Sequence, residues 1–253
     1  MKTMNLYART LTGLTGVLVF FGGWLALSWH SENLFFPPLR TLLTDAYGYW
    51  RSTDGLRDIA STLTNLGWGL LAGSLSGAVA GMLIGQLRWL DRALTPLIEF
   101  VRSIPQVALV PFAISLFGIG DAMKVFIIAL SAFWPILLNV SDGCRNLPRQ
   151  WLDTATVFRL TRRQRQLQVI FPALLPRAMM GLHIALPLAL IIAVTSEMIG
   201  ADRGIGSIIL NAQYTYEIPR MWSGVLVLGM IGCLLNVALT MLERALQRWI
   251  PSP

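Results

Sequence analysis

The sequence predicts an all-α integral membrane protein with about six transmembrane helices and a long basic loop between the fourth and fifth of them. Of the 253 residues, 55% are hydrophobic and only 13% are charged, whereas a typical soluble domain is about 25% charged. The charged residues also leave six long apolar stretches between them, and a spanning helix needs roughly 17–25 such residues. This composition excludes a soluble enzyme, a disordered chain and a disulfide scaffold.

The apolar stretches place the spans within a single transmembrane domain over residues 1–253. The first stretch is longer than the core of a signal peptide and no small-residue cleavage site follows it, so we expect an uncleaved helix. The third contains Pro105 and Pro111, which predict a kink or a displacement toward Pro96. The expected spans are 10–30, 59–87, 96–120, 123–142, 178–199 and 221–243, with residues 143–177 as the loop.

The distribution of basic residues predicts the orientation. If the N-terminus lies in the cytoplasm, 14 of the 20 basic residues fall on the cytoplasmic side, seven of them between Asp142 and Arg177. Cytoplasmic loops of membrane proteins carry such an excess of arginine and lysine, so both termini are expected to be cytoplasmic. The same arginines predict contact with anionic membrane lipid and no nucleic-acid partner.

The second span carries a ridge of small residues. Five glycines recur every four positions, about one helical turn, which predicts a smooth surface for the close approach of another helix. Tight packing within one subunit and a surface that slides between two states are both compatible with this pattern. The ridge consists of Gly69, Gly73, Gly77, Gly81 and Gly85.

The basic loop is expected to contain two short helices joined by a turn at Arg159 and Leu160. The first would run over about 149–158. Thr161 followed by Gln164 forms a capping box that starts the second, which is expected to run to about Phe171 and to end near Pro172 and Pro176. The loop could lie on lipid headgroups, or it could dock a cytoplasmic partner through the apolar residues at its turn.

Glu197 lies at the end of an otherwise apolar helix, where a carboxylate is costly and serves either as a hydrogen-bonding anchor or in a transport pathway. The two lysines, Lys2 and Lys124, do not follow a glycine, so no phosphate loop for ATP is present. With two histidines and two separated cysteines, we expect no metal site, no cofactor and no catalytic site. The chain is therefore not predicted to be an enzyme.

The loop resembles the EAA loop of ABC importer permeases. Asp153-Thr154-Ala155 stands for E-A-A, Arg159 falls at the glycine position, and 169–172 matches I-x-L-P in spacing. The segments 101–130 and 196–213 are similar to the nitrate/sulfonate/taurine permease group. They carry, at that group's typical places, Arg102, Pro105, Pro111, Gly118, Gly120, Lys124, Glu197, Gly204 and Gly206.

This resemblance implies a bacterial inner-membrane permease that acts with other subunits. A second permease copy would complete the pore, two cytoplasmic subunits would bind and hydrolyse ATP with Mg, and a periplasmic or lipid-anchored protein would deliver the solute. It implies a translocation pathway near Arg102, Pro105, Glu197, Gly204 and Gly206. It also implies ATPase coupling through Asp153, Ala155, Val157, Phe158, Arg159, Leu160, Thr161, Arg162 and Pro172.

Two questions stay open at this level. Since a non-glycine residue pays about 1 kcal/mol or more for positive φ, either the turn at Arg159 uses another geometry or the arginine serves the partner surface. We favour another geometry. The solute is expected to be a small anion such as an aliphatic sulfonate, taurine or nitrate, and the alternative function is a self-contained secondary transporter.

Overall fold

The computed structural model describes residues 35–247 and, before them, residues 15, 16, 19, 22–26 and 28. The described residues form helices joined by short connections and contain no strand. The nine helices from residue 39 onward are α1 Leu39–Trp50, α2 Thr53–Gln86, α3 Arg88–Arg102, α4 Val110–Phe117, α5 Asp121–Arg145, α6 Arg149–Val157, α7 Arg162–Gly200, α8 Ile205–Tyr214 and α9 Ile218–Gln247.

The chain forms two compact units. Among the described residues, the larger unit comprises 57–207 and 228–247, and the smaller comprises those before residue 57 together with Ile208–Val227. In the smaller unit a polar network links α1 to the start of α9. The Ser223 hydroxyl donates to the Asp45 carboxylate at 2.6 Å and accepts from the Trp50 indole N–H at 3.1 Å.

The glycine ridge on α2 packs against α5 within the larger unit. A Cβ atom at Gly77 would lie 2.7 Å from the carbonyl oxygen of Phe133, and one at Gly81 would lie 2.6 Å from that of Leu137. Gly69, Gly73 and Gly85 contact α5 in the same way, each facing the carbonyl 56 residues further along the chain. The constant offset means that α2 and α5 run in parallel, with backbone against backbone.

The core of the larger unit lies around α5. Its fully buried Met123, Ile127 and Ile128 pack with Leu66 of α2 and Ala189 of α7. Nearer the other end of the helix, α5 and α7 pack together around Ile136 and Leu174. α9 joins α7 through apolar contacts and through the His183 Nε2 and Glu243 Oε2 atoms, which lie 2.8 Å apart.

Four of the described helices are long and apolar enough to span a membrane: α2, α5, α7 and α9. They cover the expected spans 59–87, 123–142, 178–199 and 221–243. Most of the expected span 10–30 lies outside the described residues, and those of its residues that are described are helical. The count of six spans and the single domain stay predictions.

The expected span over 96–120 is sharply bent at Pro105, one of the two prolines that predict a kink there. α3 ends at Arg102, and the 3₁₀ turn Gln106–Leu109 with α4 then continues at 86° to α3. The break is at Pro105, which has ψ near 120° and no N–H to donate to a helix. Because α2 and α5 are parallel, residues 87–120 still carry the chain back from the end of α2 to the start of α5.

The second helix of the basic loop is longer than expected, because it is continuous with the span that follows the loop. It was predicted to end near Pro172, whereas α7 continues to Gly200 through Pro172, Pro176 and Pro187. A π-helical turn over Arg165–Ile170 precedes the first of these prolines. A π-turn shifts the hydrogen-bonding pattern by one residue, so a proline that would disrupt a regular helix is accommodated directly after it.

Candidate functional site

The basic loop forms a helix, a tight turn and the start of α7. At the end of α6 the Leu160 N–H donates to the Ala155 carbonyl at 3.0 Å, and the Arg159 N–H donates to the Thr156 carbonyl, also at 3.0 Å. These two bonds define a Schellman motif, which ends a helix with one residue in the left-handed conformation. The turn therefore has a defined geometry set by its own backbone.

Arg159 is the left-handed residue of this motif, with φ of +50°. The favoured expectation of another turn geometry is therefore wrong, because the backbone keeps the conformation that a glycine adopts readily. The hydrogen bonds of the motif offset a strain of about 1 kcal/mol or more. The same helix-ending motif recurs at Tyr216, where φ is +59° and the Glu217 N–H donates to the Ala212 carbonyl at 2.9 Å.

The turn presents apolar side chains to the outside. The side chains of Val157 and Phe158 are 79% and 73% exposed, while Ala155 beneath them is buried. Exposed apolar groups at the tip of a helical hairpin are typical of a surface that a partner covers. Asp153, Arg159, Thr161 and Arg162 surround them as exposed polar residues, and Leu160 and Pro172 are half-buried.

The capping box at the start of α7 is present as the sequence indicates. The Thr161 hydroxyl accepts from the Gln164 N–H at 3.3 Å, and the Gln164 side-chain oxygen accepts from the Thr161 N–H at 2.9 Å. Together these bonds satisfy two backbone donors at the helix start. α7 therefore starts immediately after the turn, and the tip is held between two defined helix ends.

A second polar site holds the start of α8. Three successive backbone N–H groups, of Gly204, Ile205 and Gly206, donate to the Asp58 carboxylate, the Thr62 hydroxyl and the Glu197 carboxylate at 3.3, 3.0 and 2.9 Å. The first N–H groups of a helix have no partner within the helix, and here side chains of α2 and α7 supply the acceptors. Glu197 thus serves as a buried anchor, 1% exposed.

Gly204 is required by this anchor. Its φ is +128°, and a Cβ atom there would overlap the carboxylate of Glu197. At Gly206 a Cβ atom would overlap the carbonyl of Val194. The two glycines therefore let the start of α8 approach the end of α7 closely enough to hydrogen-bond.

A buried lysine lies near the start of α5. Lys124 is 4% exposed and donates to the Asp121 carboxylate at 2.8 Å, and the Asn65 amide donates to the same oxygen atom at 3.0 Å. Burial of an ammonium group requires a charged partner. The hydrogen bond from Asn65 to Asp121 joins α2 to α5.

The remaining residues assigned to the pathway lie apart from this anchor. Arg102 ends α3 and is exposed, and Pro105 is exposed at the break before the 3₁₀ turn. Arg102 lines a crevice together with Glu99, Leu137 and Arg145.

Asp58 and Thr62 are site residues that were not predicted from the sequence. They lie one turn apart near the start of α2, and their bonds to Gly204 and Ile205 span 146 and 143 residues of sequence. Their four-residue spacing puts them on one helix face, which is the signal that could have been used. Spacing alone does not name the helix start that they cap.

Together these elements define a polytopic α-helical membrane protein with an exposed helical hairpin at one end. Comparison with known proteins gives the family. Residues 69–251 match the family model "Binding-protein-dependent transport system inner membrane component", and the chain belongs to this family. The predicted resemblance to ABC importer permeases of the nitrate and sulfonate group is thereby confirmed.

Individual relatives and a solved structure agree with this assignment. The chain is 29% identical to SsuC of Bacillus subtilis (strain 168), described as an aliphatic sulfonates transport permease protein, over 72% of this chain and 66% of that one, just under two thirds of its length. It is 29% identical to the nitrate import permease protein NrtB of Leptolyngbya laminosa over 90% of this chain and 84% of that one.

The fold is similar to a chain of the MetNI methionine ABC transporter solved in inward-facing conformations. The TM-score is 0.64 at 22% sequence identity, and the match covers 76% of this chain and 95% of that chain. At this level of identity the likeness concerns the fold alone.

Proposed function

We propose that the chain is the permease subunit of an ATP-driven importer for a small anion, and that it couples transport to a separate ATPase subunit. The observation that carries this proposal is the exposed apolar turn at Val157 and Phe158 in a chain of the importer-permease family. The named relatives import a sulfonate and nitrate, so an aliphatic sulfonate, taurine or nitrate is the proposed solute class.

The proposed coupling site is the turn between α6 and α7. Its apolar tip would enter a cleft on the ATPase, and the exposed Asp153, Arg159 and Arg162 would contact the rim of the cleft. Because the Schellman motif and the capping box fix both sides of the turn, a push on the tip would be passed into α7 as a rigid movement. α7 carries Glu197 at its far end, so this helix would link the ATPase to the anchor of α8.

The proposed pathway is retained with one change. Arg102, Pro105, Gly204 and Gly206 stay assigned to the neighbourhood of the translocation pathway. For Glu197 we now infer an indirect role, because its carboxylate is buried and bonded to the start of α8. It would act on transport by holding this helix start in place.

The proposed assembly has two permease copies, two cytoplasmic ATPase subunits and a periplasmic or lipid-anchored binding protein. In this assembly α3 and α4 together make one crossing, the segment 10–30 makes another, and both termini lie in the cytoplasm. The parallel course of α2 and α5 supports the crossing at 87–120, since the chain must return between them. ATP and Mg would be bound by the partner subunits and not by this chain.

Reconstitution tests the proposal against a self-contained secondary transporter. The full chain would be placed in vesicles with and without its ATPase subunit and binding protein, and uptake of radiolabelled taurine and nitrate would be measured with ATP inside or absent. We expect uptake only with all components and ATP. Uptake by the chain alone, driven by an ion gradient, would show that it is a secondary transporter.

A further inference from the structure

A basic cavity lies at the end of the larger unit that carries the turn. It has a volume of about 710 Å³ and is lined by five arginines, Arg88, Arg92, Arg145, Arg162 and Arg165, with Asp91. These residues come from α3, α5 and the start of α7, and the end of α2 closes the cavity. Ligand sites commonly have volumes of roughly 300–1,000 Å³, so a phosphate-sized headgroup can be accommodated.

Most of the positive charge in this cavity has no carboxylate partner among the residues that the structure describes. Arg145 pairs with Asp91 and also donates to the Ser141 hydroxyl at 3.0 Å. Within residues 35–247, Arg88, Arg92, Arg162 and Arg165 have no carboxylate at ion-pairing distance. Four guanidinium groups around one cavity repel one another, and an anion inside it would remove that repulsion.

Arg165 is placed for such an anion. Its Nε atom is buried and has no hydrogen-bond partner among the described residues, although a buried N–H without a partner is costly. The residue begins the π-helical turn Arg165–Ile170, and π-turns are frequent at functional sites. A guanidinium group binds two oxygens of one phosphate through parallel hydrogen bonds, and Nε–H is one of the donors that it uses.

The walls of the cavity are held in place by neighbouring contacts. The side chains of Gln86 and Gln166 exchange two amide hydrogen bonds, of 3.3 and 2.7 Å, which join the end of α2 to the π-turn. α3 begins at the cavity without a side-chain cap at Leu87, so its first N–H groups favour an anion there. The site is therefore assembled from four helix ends, two of which are joined by the amide pair of Gln86 and Gln166.

The surroundings place the cavity at the level of lipid headgroups. It lies where the apolar stretch of α2 ends and where α5 ends in Arg145. Trp89, which follows Arg88, is 68% exposed, and tryptophan is enriched where a membrane meets water. Basic pockets between membrane helices on the cytoplasmic side are suited to anionic lipid headgroups.

We propose that this cavity is a binding site for a phosphate group, supplied by the headgroup of an anionic phospholipid, beside the turn that couples to the ATPase. The four unpaired arginines supply the charge, and Arg165 supplies the buried donor that the phosphate oxygens would satisfy. A phosphate group bound in the cavity would link α3 to the start of α7 through the arginines of both helices. The proposal does not depend on transport, since binding is measured on the purified full chain.

The test compares two variants of equal charge. In the cavity variant Arg88, Arg92 and Arg165 are replaced by glutamine. In the control variant Arg149, Arg163 and Arg244, exposed arginines that do not line the cavity, are replaced in the same way. The full chain in neutral detergent is titrated with dioleoylphosphatidylglycerol or dioleoylphosphatidylcholine, and bound lipid is counted by native mass spectrometry.

We expect the wild-type chain to retain phosphatidylglycerol in preference to phosphatidylcholine. Binding should fall about tenfold or more in the cavity variant, because each basic residue contributes measurably to anionic-lipid binding, and it should be nearly unchanged in the control. A third variant with lysine at the three cavity positions should retain more lipid than the glutamine variant, which separates loss of charge from loss of folding.

A second arm distinguishes the sources of the phosphate. Sodium phosphate is titrated calorimetrically into the same three proteins and the wild-type chain. Binding of inorganic phosphate that requires the cavity arginines, without selective retention of phosphatidylglycerol, would support the phosphate site and assign it to a soluble anion. If neither ligand binds, or if the control variant loses as much binding as the cavity variant, the proposal is wrong.

Discussion

The carboxylate of Glu197 accepts a hydrogen bond of 2.9 Å from the backbone N–H of Gly206. This bond joins the last turns of α7 to the first turn of α8, and Asp58 and Thr62 of α2 complete the cap. A carboxylate near the end of an apolar helix is thus explained by the backbone donor that it satisfies at the start of α8. Two predictions about Glu197 follow from this relationship.

Replacing Glu197 by glutamine should leave folding and transport nearly intact, because the amide oxygen can still accept from Gly206. Replacing it by leucine removes the acceptor and should cost about 1–3 kcal/mol, seen as a fall in Tm of the detergent-purified chain. The matched control is Glu99→Leu, since Glu99 is an exposed carboxylate on α3, and its Tm should change little.

Uptake measured per folded protein separates this anchor from a direct role in the pathway. If the Glu197→Gln variant folds with normal Tm but no longer supports uptake, the charge itself takes part in transport and the anchor is an incomplete account.

The packing of α2 on α5 predicts opposite effects for two glycine substitutions on the same helix. An alanine at Gly77 would bring its Cβ to 2.7 Å from the Phe133 carbonyl oxygen, and overpacking of this kind typically costs about 1–3 kcal/mol. An alanine at Gly67 meets no atom within 4 Å and should stabilise the helix by up to about 1 kcal/mol. Thermal unfolding of both variants in one detergent checks the pair, and equal stability of the two would contradict the close approach.

The left-handed Arg159 predicts that glycine is tolerated at this position. Arg159→Gly should raise the free energy of unfolding by up to about 1 kcal/mol by removing the strain at φ of +50°. Arg159→Ala keeps a Cβ at the same φ and should gain little. Uptake and ATPase activity of the assembled importer should stay coupled in both variants. Loss of coupling in both would show that coupling requires the contact of the Arg159 guanidinium group with the partner.

Much of the fold could be predicted from where charges are absent. The charge-free stretches predicted the positions of α2, α5 and α9 to within six residues of the helix bounds, since burial in lipid excludes charge. The start of α7 followed from the capping box at Thr161 and Gln164, which is a local pattern of side chain and backbone. The five glycines predicted close packing. The sequence does not show which helix packs against them, because that contact is made between segments far apart in the chain.

Other features depend on relationships that a local pattern does not contain. Pro105 interrupts a helix, whereas Pro172, Pro176 and Pro187 lie inside α7, and the π-turn directly precedes only the first of these three. The residue type alone therefore does not distinguish the proline that breaks a helix from those that do not. The left-handed conformation of Arg159 was not predicted because residues other than glycine rarely adopt positive φ. Asp58 and Thr62 were missed because their partners lie far away in the sequence.

The most direct test of the central claim is ATP-dependent uptake by the reconstituted importer with a charge placed at the exposed turn. Phe158→Asp, at a side chain that is 73% exposed, is compared with Leu167→Asp, at a side chain that is 56% exposed on the π-turn. The account predicts that Phe158→Asp abolishes both uptake and co-purification of the ATPase while the chain stays folded, and that Leu167→Asp retains both. Full uptake and normal ATPase binding in the Phe158→Asp variant would contradict the assignment of this turn as the coupling site.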